Sequence, residues 1–231
     1  MVRLYLFAEG QTEQTFADTL IKPHLAQHHR VFMNPPQLIA HARKKGKAHR
    51  GGGRNYIPMR NDILRRLKQD SNPDAFFTTM IDLYAIHSDF PGLAASERLR
   101  QDPAKRVEFL EKCFAEDVED DRFIPYIQLH EYEAYLFADP TCFEYADYLP
   151  TNKITALKAI AEQYETPELI NDGKETAPSK RILAHFPTYK KVSDGTQLAE
   201  IIGLQTIREK CPHFNTWLHK LQSLSKDSSK Q

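Results

Sequence analysis

Carboxylates recur in this chain at the places where apolar runs stop. Val2-Arg3-Leu4-Tyr5-Leu6-Phe7-Ala8 delivers Glu9-Gly10-Gln11-Thr12-Glu13, and Ala75-Phe-Phe-Thr-Thr-Met-Ile81 delivers Asp82. Arg122-Phe-Ile-Pro-Tyr-Ile-Gln-Leu129 delivers His130-Glu131-Tyr132-Glu133. Oxygen donors without thiols suit hard cations such as Mg²⁺ or Mn²⁺, and Mg²⁺ takes one or two protein carboxylates and fills its other positions with water and phosphate. Glu9 and Glu13, four residues apart across a glycine turn, can converge on one cation. Any one of these clusters also reads as a capped turn or an ion-pair partner. Recurrence at three run ends favours the cation, with Glu9, Glu13, Asp82, Asp89 and Glu131 as its candidate ligands. Glu131 is chosen over Glu133 because it follows the run directly and the two point to different sides of a helix. His-Glu-x-Glu is not the His-Glu-x-x-His of a zinc protease.

Two basic features could meet a phosphate. In Thr176-Ala-Pro-Ser-Lys-Arg181, Pro178 suits a first helical turn. Lys180 after it is a candidate to stabilise charge on a scissile phosphate, the other reading being a capped helix with exposed basic residues. The stretch from His41 to Arg54 is basic and glycine-rich with no apolar residue larger than Ala, and reads as a loop. Its Arg43, Lys44, Lys45, Lys47, Arg50 and Arg54 suit phosphate-backbone contacts of a nucleic acid, with a solvated loop as the equal alternative.

The elements that must position these residues follow from periodicity. The runs at 2–8 and 75–82 are short, rich in β-branched and aromatic residues and apolar throughout, which predicts buried strands. A weaker strand is expected near Gln37 to Ala42. The third run is demoted toward an edge or bulge by Pro125. Helices are expected at Gln11 to His29 with a break at Pro23, with Thr12 as a cap, and at Ile57 to Lys68, Leu93 to Gln101 and Pro103 to Val118. Parallel strands joined by crossover helices present their carboxyl ends together, which would put Glu9 and Asp82 on one edge. That edge is where open α/β sheets bind ligands. After Asp139 helical patterns dominate. The expectation is one domain over 1–231, comprising an α/β core (1–139), a mainly helical extension (140–224) and a frayed tail (225–231).

The length of 231 residues allows a sizeable core, and 41% hydrophobic with 27% charged residues is ordinary for a globular protein. Three scattered cysteines suit neither a disulfide framework nor a zinc site and fit a cytoplasmic location. The first apolar run is too short for a signal peptide or a membrane span. Net charge is zero but unevenly placed: Thr19 to Asn61 lacks Asp and Glu, whereas Glu108 to Asp121 is strongly acidic, a possible docking surface.

As a set, Phe7-Ala-Glu-Gly-Gln-Thr-Glu13, Met80-Ile-Asp-Leu-Tyr84, Asp89-Phe-Pro-Gly92, His130-Glu-Tyr-Glu-Ala-Tyr-Leu-Phe137 and Thr176-Ala-Pro-Ser-Lys-Arg181 resemble the DUF4276 family. That family is similar to the Toprim domains of topoisomerases, primases and OLD-type (overcoming lysogenization defect) nucleases. The resemblance covers almost the whole chain. It implies a mainly parallel central sheet flanked by helices, Mg²⁺ held by acidic residues, an acid/base or metal role for Glu9 and a second acid at Glu13. It also implies a late lysine, for which Lys180 is a candidate by position. The sequence departs where Toprim domains carry Asp-x-Asp: Asp82 matches the first position and Tyr84 occupies the second, so Asp89 or Glu131 would have to substitute, or metal binding is weakened.

Relatives of this kind resemble partners of ABC-type ATPases in bacterial or phage-defence systems, and this chain has no P-loop of its own. The expectation is therefore a Mg²⁺-dependent nuclease of DNA or RNA. The alternative is a non-catalytic nucleic-acid-binding or sensor subunit of an ATPase complex.

Overall fold

The computed structural model describes residues 1–39, 55–145, 151–170, 173 and 175–227. Strand β1 (Val2–Ala8) is apolar on both faces because it is central: Val2, Leu4, Leu6 and Ala8 enter one hydrophobic core while Tyr5 and Phe7 enter another. The chain turns at Gly10 into α1 (Gln11–Phe16), passes through a π turn (Ala17–Ile21) and continues as α2 (Lys22–His29). Pro23 has no N–H to give and its ring would crowd the carbonyl of Thr19, so the wider turn directly before it absorbs the expected break. Gly10, not Thr12, is the cap residue; Thr12 is buried inside the first turn.

Two short strands follow, β2 (Val31–Met33) and β3 (Gln37–Leu38), both parallel to β1. Next come α3 (Tyr56–Gln69), β4 (Ala75–Asp82), α4 (Leu93–Ser96) and α5 (Pro103–Val118). The third apolar run is split by Pro125 into β5 (Phe123–Ile124) and β6 (Ile127–Gln128). Across the break the Thr79 hydroxyl stands in for a main-chain partner, accepting from the Tyr126 N–H at 2.9 Å and lying 3.1 Å from its carbonyl.

Among the described residues these strands make a six-stranded sheet in the order β2-β1-β4-β5, with β3 beside β1 and β6 beside β4. Every pairing is parallel, so all carboxyl ends lie on one edge. One face is covered by α3 and α5 through Met59, Ile63, Leu67, Val107, Leu110 and Phe114.

The other face is covered by α1 and α2 and, among the described residues, by most of the chain after residue 131. That later part begins with a 3-10 stretch (Tyr132–Ala138) and includes α6 (Thr151–Ala161), α7 (Pro178–His185), α8 (Ser193–Ile202), α9 (Leu204–Lys210) and α10 (Pro212–Asp227). Trp217 of α10 stacks on Tyr126 at 4.3 Å and donates its indole N–H to Thr78 at 2.9 Å, fastening this helical layer to β4. The region expected as a helical extension thus completes one of the two cores of the sheet.

Candidate functional site

The pairing of β1 with β4 runs in register to Ala8 opposite Met80, and the Glu9 N–H extends it by donating to the Met80 carbonyl at 2.9 Å. Glu9 and Asp82 therefore leave adjacent strands side by side, and the Asp82 N–H donates to Glu9 Oε2 at 2.8 Å. Glu13 stands in the first turn of α1, where the helix dipole favours an anion. It folds back over Gly10 so closely that a Cβ there would lie 2.8 Å from its Oε2. Glu133 enters from the 3-10 stretch and is wholly buried.

Among the described residues one ammonium meets three of these acids. Lys191, in the segment before α8, places Nζ 3.1 Å from Glu133 Oε2, 3.5 Å from Glu13 Oε1 and 3.6 Å from Asp82 Oδ2. Its charge also lies 5.9 Å from the Tyr132 ring, within cation–π range. Three buried carboxylates sharing one ammonium, with Glu9 beside them, cannot all ionise cheaply. Burial, aided by Glu9, Glu13 and Glu133 and opposed by Lys191, pushes the Asp82 carboxyl well above its usual range. Burial likewise lifts Glu133 to about 7, against the pull of Lys191. Burial works against the charge of Lys191, but Asp82, Glu133 and Glu13 outweigh it and raise its pKa. Asp82 Oδ1 and both Glu133 oxygens are buried without a hydrogen-bond partner, the Lys191 contact to Glu133 being an ion pair rather than an aligned hydrogen bond.

Of the residues expected from sequence, Glu9, Glu13 and Asp82 come together. Glu131 does not join them: it turns to the start of α7, accepting from the Ser179 N–H and, at 3.2 Å, from its hydroxyl. The preference for Glu131 over Glu133 is corrected. The chain leaves the strand through His130 at positive φ and enters a 3-10 turn, which carries Glu133 inward.

Asp89 also stays apart, its carboxylate accepting from the first N–H of α3 at Tyr56 (3.0 and 3.1 Å) and pairing with His87 Nδ1 at 2.8 Å. Lys180 is exposed on α7, and the ammonium that reaches the acids is that of Lys191. Tyr84 is exposed on a 3-10 turn beside β4, its N–H donating to the His130 carbonyl at 3.1 Å.

Arg43, Lys44, Lys45, Lys47, Arg50 and Arg54 lie outside the described residues. One flank of that segment sits at the acidic edge, where the Ile39 N–H donates to the Ala8 carbonyl at 3.0 Å, and the other, at Tyr56, is tied to Asp89. Ile39 and Met59 join Glu9, Ile81, Asp82, Ile86 and Phe90 around a cavity of about 20 Å³, room for about one water molecule.

The donor set is all oxygen, buried and partly unsatisfied, which fits a hard divalent cation better than a soft one. Among the described residues no three His, Cys, Asp or Glu side chains stand in a ready-made coordination geometry, and the Lys191 ammonium lies in the space they share. Also among the described residues, no helix is long and apolar enough to cross a membrane.

No curated protein and no solved structure matches the chain. A family model described as a domain of unknown function, DUF4276, matches residues 8–222, a span running from the end of β1 into α10 that includes every acid of the cluster and Lys191. The chain belongs to the DUF4276 family.

Proposed function

We propose that the protein is a Mg²⁺- or Mn²⁺-dependent nuclease acting on DNA or RNA, with its reaction centre at the carboxyl edge between β1 and β4. The observation that carries this reading is the convergence of Glu13, Asp82 and Glu133 on one ammonium, with Glu9 bound to the Asp82 main-chain N–H and with Asp82 Oδ1 and the Glu133 oxygens buried without a hydrogen-bond partner. Asp82, Glu13 and Glu133 would hold the cation, and Glu9 would position Asp82 through its main-chain N–H. A bound cation would polarise a phosphoryl oxygen and help activate water for in-line attack. The basic segment flanked by Ile39 and Tyr56 supplies charge of the sign a phosphate backbone needs. The resemblance to OLD-type nucleases adds a separate ABC-type ATPase and a role in bacterial or phage defence to the same proposal.

A second reading is a non-catalytic nucleic-acid-binding or sensor subunit of such an ATPase complex. Tyr84 favours it, because an exposed tyrosine stands where the Toprim pattern has its second acid. Incubating plasmid and RNA with Mg²⁺ or Mn²⁺ separates the two. The wild type is expected to cleave, and Glu9→Gln and Asp82→Asn to lose about 100-fold or more, the scale of removing a group that acts in the transition state. Equal cleavage by all three proteins would rule out this site. Metal binding and nucleic-acid binding without cleavage, with an ATPase present, would establish the second reading.

A further inference from the structure

The acid cluster is already supplied with a cation, and that cation is covalently part of the chain. We infer that Lys191 is the resident counter-ion of the site, and that a divalent cation enters by displacing its ammonium toward solvent. The inference rests on the proposal that the acids take such a cation, and adds how entry is controlled.

Three observations support it. The ammonium lies 3.1 to 3.6 Å from oxygens of Glu133, Glu13 and Asp82, which come from three different elements, so it sits at the point on which they converge. A divalent ion drawn to the same oxygens would meet strong like-charge repulsion from an ammonium left in place. The Lys191 side chain is 39% exposed although the acids it contacts are 9% exposed or less, so its stem leads from the cluster to water and gives the ammonium a way out. The segment that carries it, between α7 and α8, is tied to the start of α8 by the Lys190 N–H on Asp194 at 2.8 Å, so Lys191 can swing from a fixed base. The groups facing the ammonium are Glu13 of α1, Asp82 of β4, and Tyr132 and Glu133 of the 3-10 stretch.

Two measurements test this on the full chain. In titration calorimetry with Mn²⁺, Lys191→Met keeps the stem, removes the competitor, and is expected to bind at least about tenfold tighter than wild type. In the wild type, reductive methylation read by mass spectrometry is expected to leave Lys191 protected without Mn²⁺ and to modify it once Mn²⁺ saturates. The neighbouring exposed Lys190 serves as the internal control, and Asp82→Asn is expected to abolish the change. Should Lys191→Met fail to fold with its acids unpaired, the wild-type labelling decides alone. Equal or weaker Mn²⁺ binding by Lys191→Met, or a Lys191 that stays protected at saturation, overturns the displacement while leaving the cation site standing. Absence of Mn²⁺ binding by both proteins overturns the cation site and the displacement together.

Discussion

At the scale of single residues, the site divides into groups that local sequence reveals and groups that only the fold reveals. Glu9 and Asp82 are legible because the end of an apolar run is a local signal, and parallel neighbours bring such ends together. Glu133 is not, since its choice over Glu131 depends on a 3-10 turn following a positive-φ His130. Lys191 is less so, because nothing around Tyr189-Lys190-Lys191-Val192 marks it as a residue that packs against a sheet edge.

The inward turn of Glu133 has a measurable consequence. Its carboxyl, ordinarily near 4.5, is lifted by burial to about 7, so between those values the folded protein keeps a proton that the unfolded chain has released. Stability contributed by that proton is complete below pH 4.5 and is lost as pH rises through about 7. Glu133→Gln removes the titration. Urea midpoints are therefore expected to fall from pH 4.5 to 7 more steeply for wild type than for Glu133→Gln, a difference of up to a few kcal/mol. Parallel pH profiles for the two proteins would show that Glu133 is not held protonated by the fold.

At the scale of elements, β1, α3, β4 and α5 follow their sequence periods closely because each packs a long, regular face. β2 was not expected: three residues directly after a left-handed Arg30 offer no period to read, and the pairing with β1 makes them a strand. The third run shows the opposite case, where Pro125 visibly signals interruption and the structure divides the run at that residue.

Element ends also explain what Glu131 does. α7 begins with Pro178 and has no side-chain cap of its own, so its free N–H at Ser179 is met by a carboxylate from 48 residues earlier. An acid so placed offsets both an unpaired donor and the positive end of the helix. Glu131→Ala is expected to cost about 1 kcal/mol of stability. It is also expected to leave Mn²⁺ affinity close to wild type, which calorimetry checks against Asp82→Asn. A loss of Mn²⁺ binding as large as that of Asp82→Asn would return Glu131 to the ligand set.

At the scale of the whole molecule, sequence periodicity conveys that the second half is helical but not where those helices go. An amphipathic pattern specifies that a face is buried without naming what covers it, and the division at residue 139 follows a change in pattern rather than a boundary in packing. Val2, Leu4, Leu6, Ala8 and Met80 share one core with Leu198, Ile202, Phe214, Trp217 and Leu218. A fragment ending at residue 139 would expose that face of β1 and β4, and would leave Thr78 without the Trp217 indole donor. It would also lose Lys191, the counter-charge of its own acid cluster. Each buried large apolar side chain contributes about 1.5–3 kcal/mol, so uncovering several exceeds the whole stability of an ordinary domain, about 5–15 kcal/mol. The 1–139 fragment is therefore expected to lack a cooperative urea transition and to bind a hydrophobic dye, whereas the full chain unfolds cooperatively. A fragment that unfolds in one sharp transition with native near-UV dichroism would mean that the sheet can close its core without the later helices, and that the acid cluster could assemble without Lys191.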